Sequence, residues 1–167
     1  SNPPSENTLT LQTAHEMLSD VQELYPESVA VSPSRSDEKN LGYDIAFDWN
    51  WWLSVPLQFK KPMKIDEERR FQVGKTHGNQ GSFVKFKIRV KQLEEIQRYY
   101  PNKKEAFYAL PVVIHRKSLS ETLSRTVFID AHSFPNAETI CTDTITLNIP
   151  ACFSKAYWDD AWSSMKE

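Results

Sequence analysis

Gly42-Tyr43-Asp44-Ile45-Ala46-Phe47 and Val55-Pro56-Leu57-Gln58-Phe59-Lys60 are the two segments on which the reading of this chain turns. Leu41–Phe47 alternates in the manner of a strand with one buried face, and Trp51–Lys60 reads as the next strand. The polar link Asp48-Trp49-Asn50 is short enough to join them as a hairpin. Residues i and i+2 of a strand project to the same face, so Gln58 and Lys60 point together and a hairpin brings Asp44 beside them. A carboxylate, an amide carbonyl oxygen and a nearby ammonium make a site for a hard divalent cation. Mg²⁺ is typically held by one or two carboxylates, with waters and substrate phosphate completing the shell. The lysine would orient or help deprotonate an attacking water and stabilise charge on a phosphorane-like transition state. Asp44 and Lys60 also lie among Ile45, Phe47, Leu57 and Phe59, where an unpaired charge is costly.

Working outward, residues 1–8 are rich in Pro, Ser and Asn and read as a flexible tail. From Thr10 the pattern is helical, with Leu11, Ala14, Leu18, Val21 and Leu24 recurring at three- and four-residue steps up to Pro26. Ser28–Ser32 reads as a short strand and Pro33–Asn40 as a polar turn. Downstream, Lys85–Tyr100 is expected to be a helix with Ile88, Leu93, Ile96 and Tyr99 or Tyr100 inward, stopped by Pro101. Glu105–Ile114 reads as a central strand and Arg125–Ala131 as another. Thr142–Ile149 alternates weakly, and Phe153–Met165 reads as a short helix bearing tryptophans. The order helix, strand, strand, strand, helix, strand predicts an α/β (α+β) core with a central mixed sheet, a meander leading into a crossover helix. The 167 residues fit a single domain over 9–167, with no internal repeat.

This element order, with Asp44…Gln58-Phe59-Lys60, resembles the PD-(D/E)XK (restriction-endonuclease-like) nuclease superfamily. In particular it is similar to the branch, seen in Mrr-type restriction endonucleases, that carries Gln where most members have Asp or Glu. The resemblance covers roughly residues 10–114; its motif is short and degenerate, and Gly42-Tyr43-Asp44 stands where the family has Pro-Asp. It implies a restriction-endonuclease-like core and metal-dependent hydrolysis of nucleic-acid phosphodiesters with Mg²⁺ or Mn²⁺. Asp44 would be the metal-binding acid, Gln58 the second ligand and Lys60 the catalytic lysine. Members of the family often add an acid from the first helix, a place for Glu16 or Glu23, which lie seven apart on nearly one helical face. Because Gln58 is neutral, a second reading stands beside the first: a catalytically inactive module of the same fold that binds nucleic acid or a protein partner.

The balance of 20 Lys+Arg against 22 Asp+Glu hides a polarity. Between residues 60 and 91 ten basic residues (Lys60, Lys61, Lys64, Arg69, Arg70, Lys75, Lys85, Lys87, Arg89, Lys91) accompany three acids, a net +7 that leaves −9 for the rest of a chain whose total is −2. Residues 61–82 hold three of the four glycines and read as a mobile basic loop of the functional kind. Lys85, Lys87, Arg89 and Lys91 alternate with Val84, Phe86, Ile88 and Val90, giving that element one basic edge. A nucleic-acid backbone is the partner such a strip fits, with salt-dependent affinity and no reading of sequence.

Other classes are disfavoured. No stretch approaches the roughly 18–20 apolar residues that span a bilayer, and the opening Ser-Asn-Pro-Pro-Ser-Glu-Asn lacks the features of a signal peptide. There is no GxxxxGK[ST] or GxGxxG. His15, His77, His115 and His132 are scattered without zinc-ligand spacing. Cys141 and Cys152 are expected to be reduced core thiols, and the chain to be cytoplasmic without a membrane partner. Trp49, Trp51 and Trp52 read as core or hairpin-tip packing rather than as a base-stacking platform. Trp158 and Trp162, four apart, read as one face of a docking helix that covers the sheet, mediates a homodimer or meets a protein partner.

Overall fold

The computed structural model describes residues 4–31, 45–48, 54–63, 71–72, 80–81, 83–113 and 116–150. The expected turn at Pro33–Asn40, the Trp49–Trp52 cluster, Cys152 and the C-terminal tryptophan helix lie outside the described residues. Helix α1 spans Glu6–Leu24. Ser5 starts it from an extended backbone, its Oγ accepting the Thr8 N–H at 3.2 Å and satisfying one of the donors that a first turn leaves without a helical partner. The helix therefore begins inside the stretch read as a tail. Of the expected inward residues Ala14 and Val21 are buried and Leu18 packs on the core, but Leu11 is 70% exposed and Leu24 60%; Leu9, Thr13 and Met17 complete the buried face instead. Leu9, Thr13, Met17 and Val21 recur every four residues, and such a row forms one ridge that packs as a unit.

The main sheet has the order β1–β2–β3–β7–β8. Strands β1 (Val29–Val31), β2 (Ile45–Asp48) and β3 (Ser54–Phe59) form an antiparallel meander, and Ile45 pairs with Leu57. Strand β7 (Phe107–Pro111) lies parallel to β3, with Gln58 opposite Tyr108, and β8 (Thr126–Asp130) returns antiparallel to β7. The chain is thus a mixed α/β domain with a mixed sheet. The parallel pair sits at the centre with both faces covered: all five residues of β7 are buried, as are Pro56, Leu57, Gln58 and Phe59. Alternation divides the cover. Leu57, Phe59, Phe107 and Ala109 meet Ala14, Met17 and Val21 of α1. Tyr108 and Leu110 face a second core built by elements of the crossover.

Those elements correct one expectation. Residues 85–100 are not one helix: Phe83–Arg89 is a strand (β6) and only Val90–Tyr99 is helical (α2). Buried Val84, Phe86 and Ile88 alternate with Lys85, Lys87 and Arg89, a period of two carried by β-branched and aromatic residues. The three- and three-residue steps from Val90 to Leu93 to Ile96 then set the helical face. Of the two tyrosines, Tyr100 packs on the second core and Tyr99 is half-exposed. β6 pairs antiparallel with β9 (Thr144–Pro150), whose Ile145, Leu147 and Ile149 join the same core. Within the expected irregular loop, β4 (Phe71–Gln72) and β5 (Gln80–Gly81) form a short antiparallel ladder. Cys141 is exposed before β9 and is no core thiol, since the second core is closed there by Ile140 and Ile145. No helix among the described residues is long and apolar enough to cross a membrane.

Candidate functional site

The C-terminal end of β3 gathers two of the expected site residues. Gln58 is 3% exposed, and its Nε2 donates to the Phe59 carbonyl at 3.1 Å. Its register partner Tyr108 puts it on the side of the second core, away from α1. Lys60 is half-buried, and its backbone N–H donates to the Ala109 carbonyl at 3.2 Å, carrying the parallel ladder one residue past the strand. Gln58 and Lys60 therefore lie two residues apart along extended chain, at the point where the sheet changes from antiparallel to parallel pairing. Asp44 lies outside the described residues; its sequence neighbour Ile45 pairs with Leu57, next to Gln58.

The acids of α1 distribute differently from the expectation. The Glu16 carboxylate accepts from the Thr122 hydroxyl and from the Leu123 N–H (3.1 Å), tying α1 to the turn that precedes β8. Thr122 is fully buried, so this bond satisfies a hydroxyl that water does not reach. Glu23 is exposed in the last turn of α1. The helical acid that reaches the end of β3 is Glu6, whose carboxylate accepts the Lys61 N–H at 3.3 Å. Sequence reading missed it because residues 1–8 were assigned to a tail. The available signal was Ser5, a residue type that caps helix starts, followed directly by Glu6, an acid of the kind favoured in a first turn. Glu16→Ala is accordingly expected to lower stability by about 1–3 kcal/mol, the cost of leaving a buried donor unpaired. The Mg²⁺ dependence of any cleavage should stay that of the parent chain, as thermal melts and a Mg²⁺ titration would establish.

The second feature is a basic ribbon. On the outward side of β6, Lys85 is half-buried and Lys87 and Arg89 are exposed. Lys91 is exposed in the first turn of α2, a helix whose first turn holds no acid and whose start has no side-chain cap. Opposite the β6 cations stand Asn148, Thr146 and Thr144 of β9. The Met63 N–H donates to the Lys85 carbonyl at 2.8 Å, which ties the chain leaving β3, with exposed Lys61, to the middle of β6. Lys64, Arg69, Arg70 and Lys75 lie outside the described residues.

Among the described residues no three His, Cys, Asp or Glu side chains converge as a metal site. Gln58, on the second-core side of the sheet, and Glu6, on α1 and bonded to the Lys61 N–H, are not brought together by any contact among the described residues. Compared with protein-family models and with curated proteins, the chain matches none.

Proposed function

We propose that this chain is a nuclease domain with a restriction-endonuclease-like core that hydrolyses nucleic-acid phosphodiesters with Mg²⁺ or Mn²⁺. The observation that carries the reading is the parallel β3–β7 ladder, extended by the Lys60 N–H to Ala109, beside the antiparallel β2–β3 pair. It sets Gln58 and Lys60 at the carboxyl end of a central strand, and the basic ribbon is hydrogen-bonded to the chain that leaves it. Support comes also from the order of elements, a meander followed by a strand parallel to β3.

In this reading Asp44 and Gln58 hold the cation. The cation, when bound, would polarise the phosphoryl group and acidify a bound water. Lys60 orients that water and offsets the negative charge that develops on the phosphoryl oxygens. The neutral Gln58 favours one other reading, a non-catalytic nucleic-acid-binding module of the same fold. Incubation of supercoiled plasmid and of a structured RNA with Mg²⁺, Mn²⁺ or EDTA separates the two. The expected result is cleavage of at least one substrate with either cation, none in EDTA, and none by Asp44→Ala. Binding without metal-dependent cleavage of either substrate would replace the nuclease by the non-catalytic module.

A further inference from the structure

We propose that the outward face of the β6–β9 ribbon docks into a groove of duplex nucleic acid, with Lys85, Lys87 and Arg89 neutralising phosphates and Thr144, Thr146 and Asn148 supplying neutral hydrogen-bonding groups beside them. The inference deepens the reading above and rests on it for the partner being a phosphate polymer.

The ribbon has two chemically distinct sides. Inward, Val84, Phe86 and Ile88 of β6 and Ile145, Leu147 and Ile149 of β9 fill the second core. Outward, the register sets Lys85 against Asn148, Lys87 against Thr146 and Arg89 against Thr144. Opposite charges directly across an antiparallel pair stabilise it by about 0.2–1 kcal/mol, so a ribbon selected for stability alone would place acids on β9. It carries none at these positions, and Lys85, Lys87, Arg89 and Lys91 form no ion pair among the described residues. Acids are not scarce in the chain, since the residues outside 60–91 sum to −9. Helix α2 adds to the imbalance: it starts directly after Arg89, and its positive dipole end is met by Lys91 and by no first-turn acid. The nearest acid in the ladder is Asp143, just beyond the last rung.

The occupant follows from shape and charge together. Cations on alternate residues recur about every 6.8 Å, and three rungs extend about 14 Å. A two-stranded ribbon fits a B-form major groove, about 12 Å wide, where contacts to phosphates set position and neutral side chains meet base edges. An anionic membrane surface would also attract the cations, but the three rungs from Lys85 to Arg89 hold only cations and neutral polar residues, with no run of apolar side chains to insert between lipids.

The test is the anisotropy of a short fluorescent DNA duplex, titrated in EDTA at a series of salt concentrations. The expected result is a linear fall of log K with log salt whose slope drops by about 0.9 for each of Lys87→Gln and Arg89→Gln, and by about 1.8 for the pair. Thr146→Glu, which sets a carboxylate opposite Lys87, should weaken binding at least as much as Lys87→Gln, whereas Lys103→Gln on a distant turn should leave the slope unchanged. All four positions are exposed, so thermal melts verify that the fold is kept. An unchanged slope in the Lys87→Gln/Arg89→Gln variant, or tighter binding to phosphatidylserine vesicles than to the duplex, would overturn the inference. Since EDTA prevents metal-dependent cleavage, failure of this test leaves the nuclease reading intact. Loss of cleavage with a normal slope, conversely, concerns only the end of β3.

Discussion

Lys60→Ala is expected to slow metal-dependent phosphodiester cleavage by about 10²–10³-fold, the usual effect of removing one preorganised group that meets charge developing in a transition state. The substitution leaves the local ladder untouched, because the bond to the Ala109 carbonyl comes from the backbone N–H of residue 60 and alanine keeps it. The side chain is half-buried at the end of the central strand β3, where truncation costs less than in the core. A second variant divides the lysine's two roles. Lys60→Arg retains a full positive charge but cannot give up its proton near neutral pH. A rate near that of the parent would assign electrostatic stabilisation, and a rate near that of Lys60→Ala would assign proton handling at the water. Single-turnover cleavage at saturating Mg²⁺, with melts alongside, measures all three proteins. Undiminished activity in Lys60→Ala would remove the end of β3 from the reaction.

Phe59→Ala should be the most damaging core substitution near the site, at about 3–5 kcal/mol. Phe59 is fully buried on the α1 side of the sheet, packed in a cluster with Ala14, Met17, Val21, Leu57, Phe107 and Ala109. Truncation leaves a cavity between a helix and the central parallel pair, where backbone hydrogen bonds resist collapse. Domains are stable by only about 5–15 kcal/mol, so this loss takes a large share of the total. The consequence reaches the site, because Phe59 sits between Gln58 and Lys60 and anchors the strand end that presents them. Urea unfolding should show a lower midpoint with an unchanged slope, the mark of lost stability rather than altered compactness. A loss under about 1 kcal/mol would mean that β3 does not occupy the centre of the core.

Local signals made part of this architecture legible. The period-two alternation around Asp44 and Gln58 and the short polar link between them identify the β2–β3 hairpin. The uninterrupted apolar run at Phe107–Pro111 marks a strand buried on both faces, and Pro26 marks where α1 must already have ended. Residues 83–99 defeated the same approach for a physical reason. Ile88, Leu93 and Ile96 are all buried, and Ile96 lies at helical spacing from each of the other two across what is in fact a strand-to-helix junction, with no Gly or Pro to punctuate it. The alternation of Lys85, Lys87 and Arg89 with Val84, Phe86 and Ile88 was visible, but its meaning depended on a partner strand far along the chain. Likewise α1 offered several apolar residues on neighbouring faces, and Leu11 competed with Leu9 and Met17 until the sheet chose between them.

The amino-acid sequence alone therefore determined which segments are apolar and periodic, that positive charge is concentrated between residues 60 and 91, and that Gln58 and Lys60 share a strand face. Those properties are set by residue identity and short spacing, and no distant contact alters them. Only the tertiary structure decided that β3 pairs in parallel with β7, that β9 rather than an acidic strand lies across from the basic one, and which helical acid approaches the strand end. Glu6 meets the backbone of Lys61 from 55 residues away, while Glu16 is drawn to Thr122 and Leu123. Each of these outcomes turns on which distant surfaces bury the most apolar area together, a competition that no local pattern encodes.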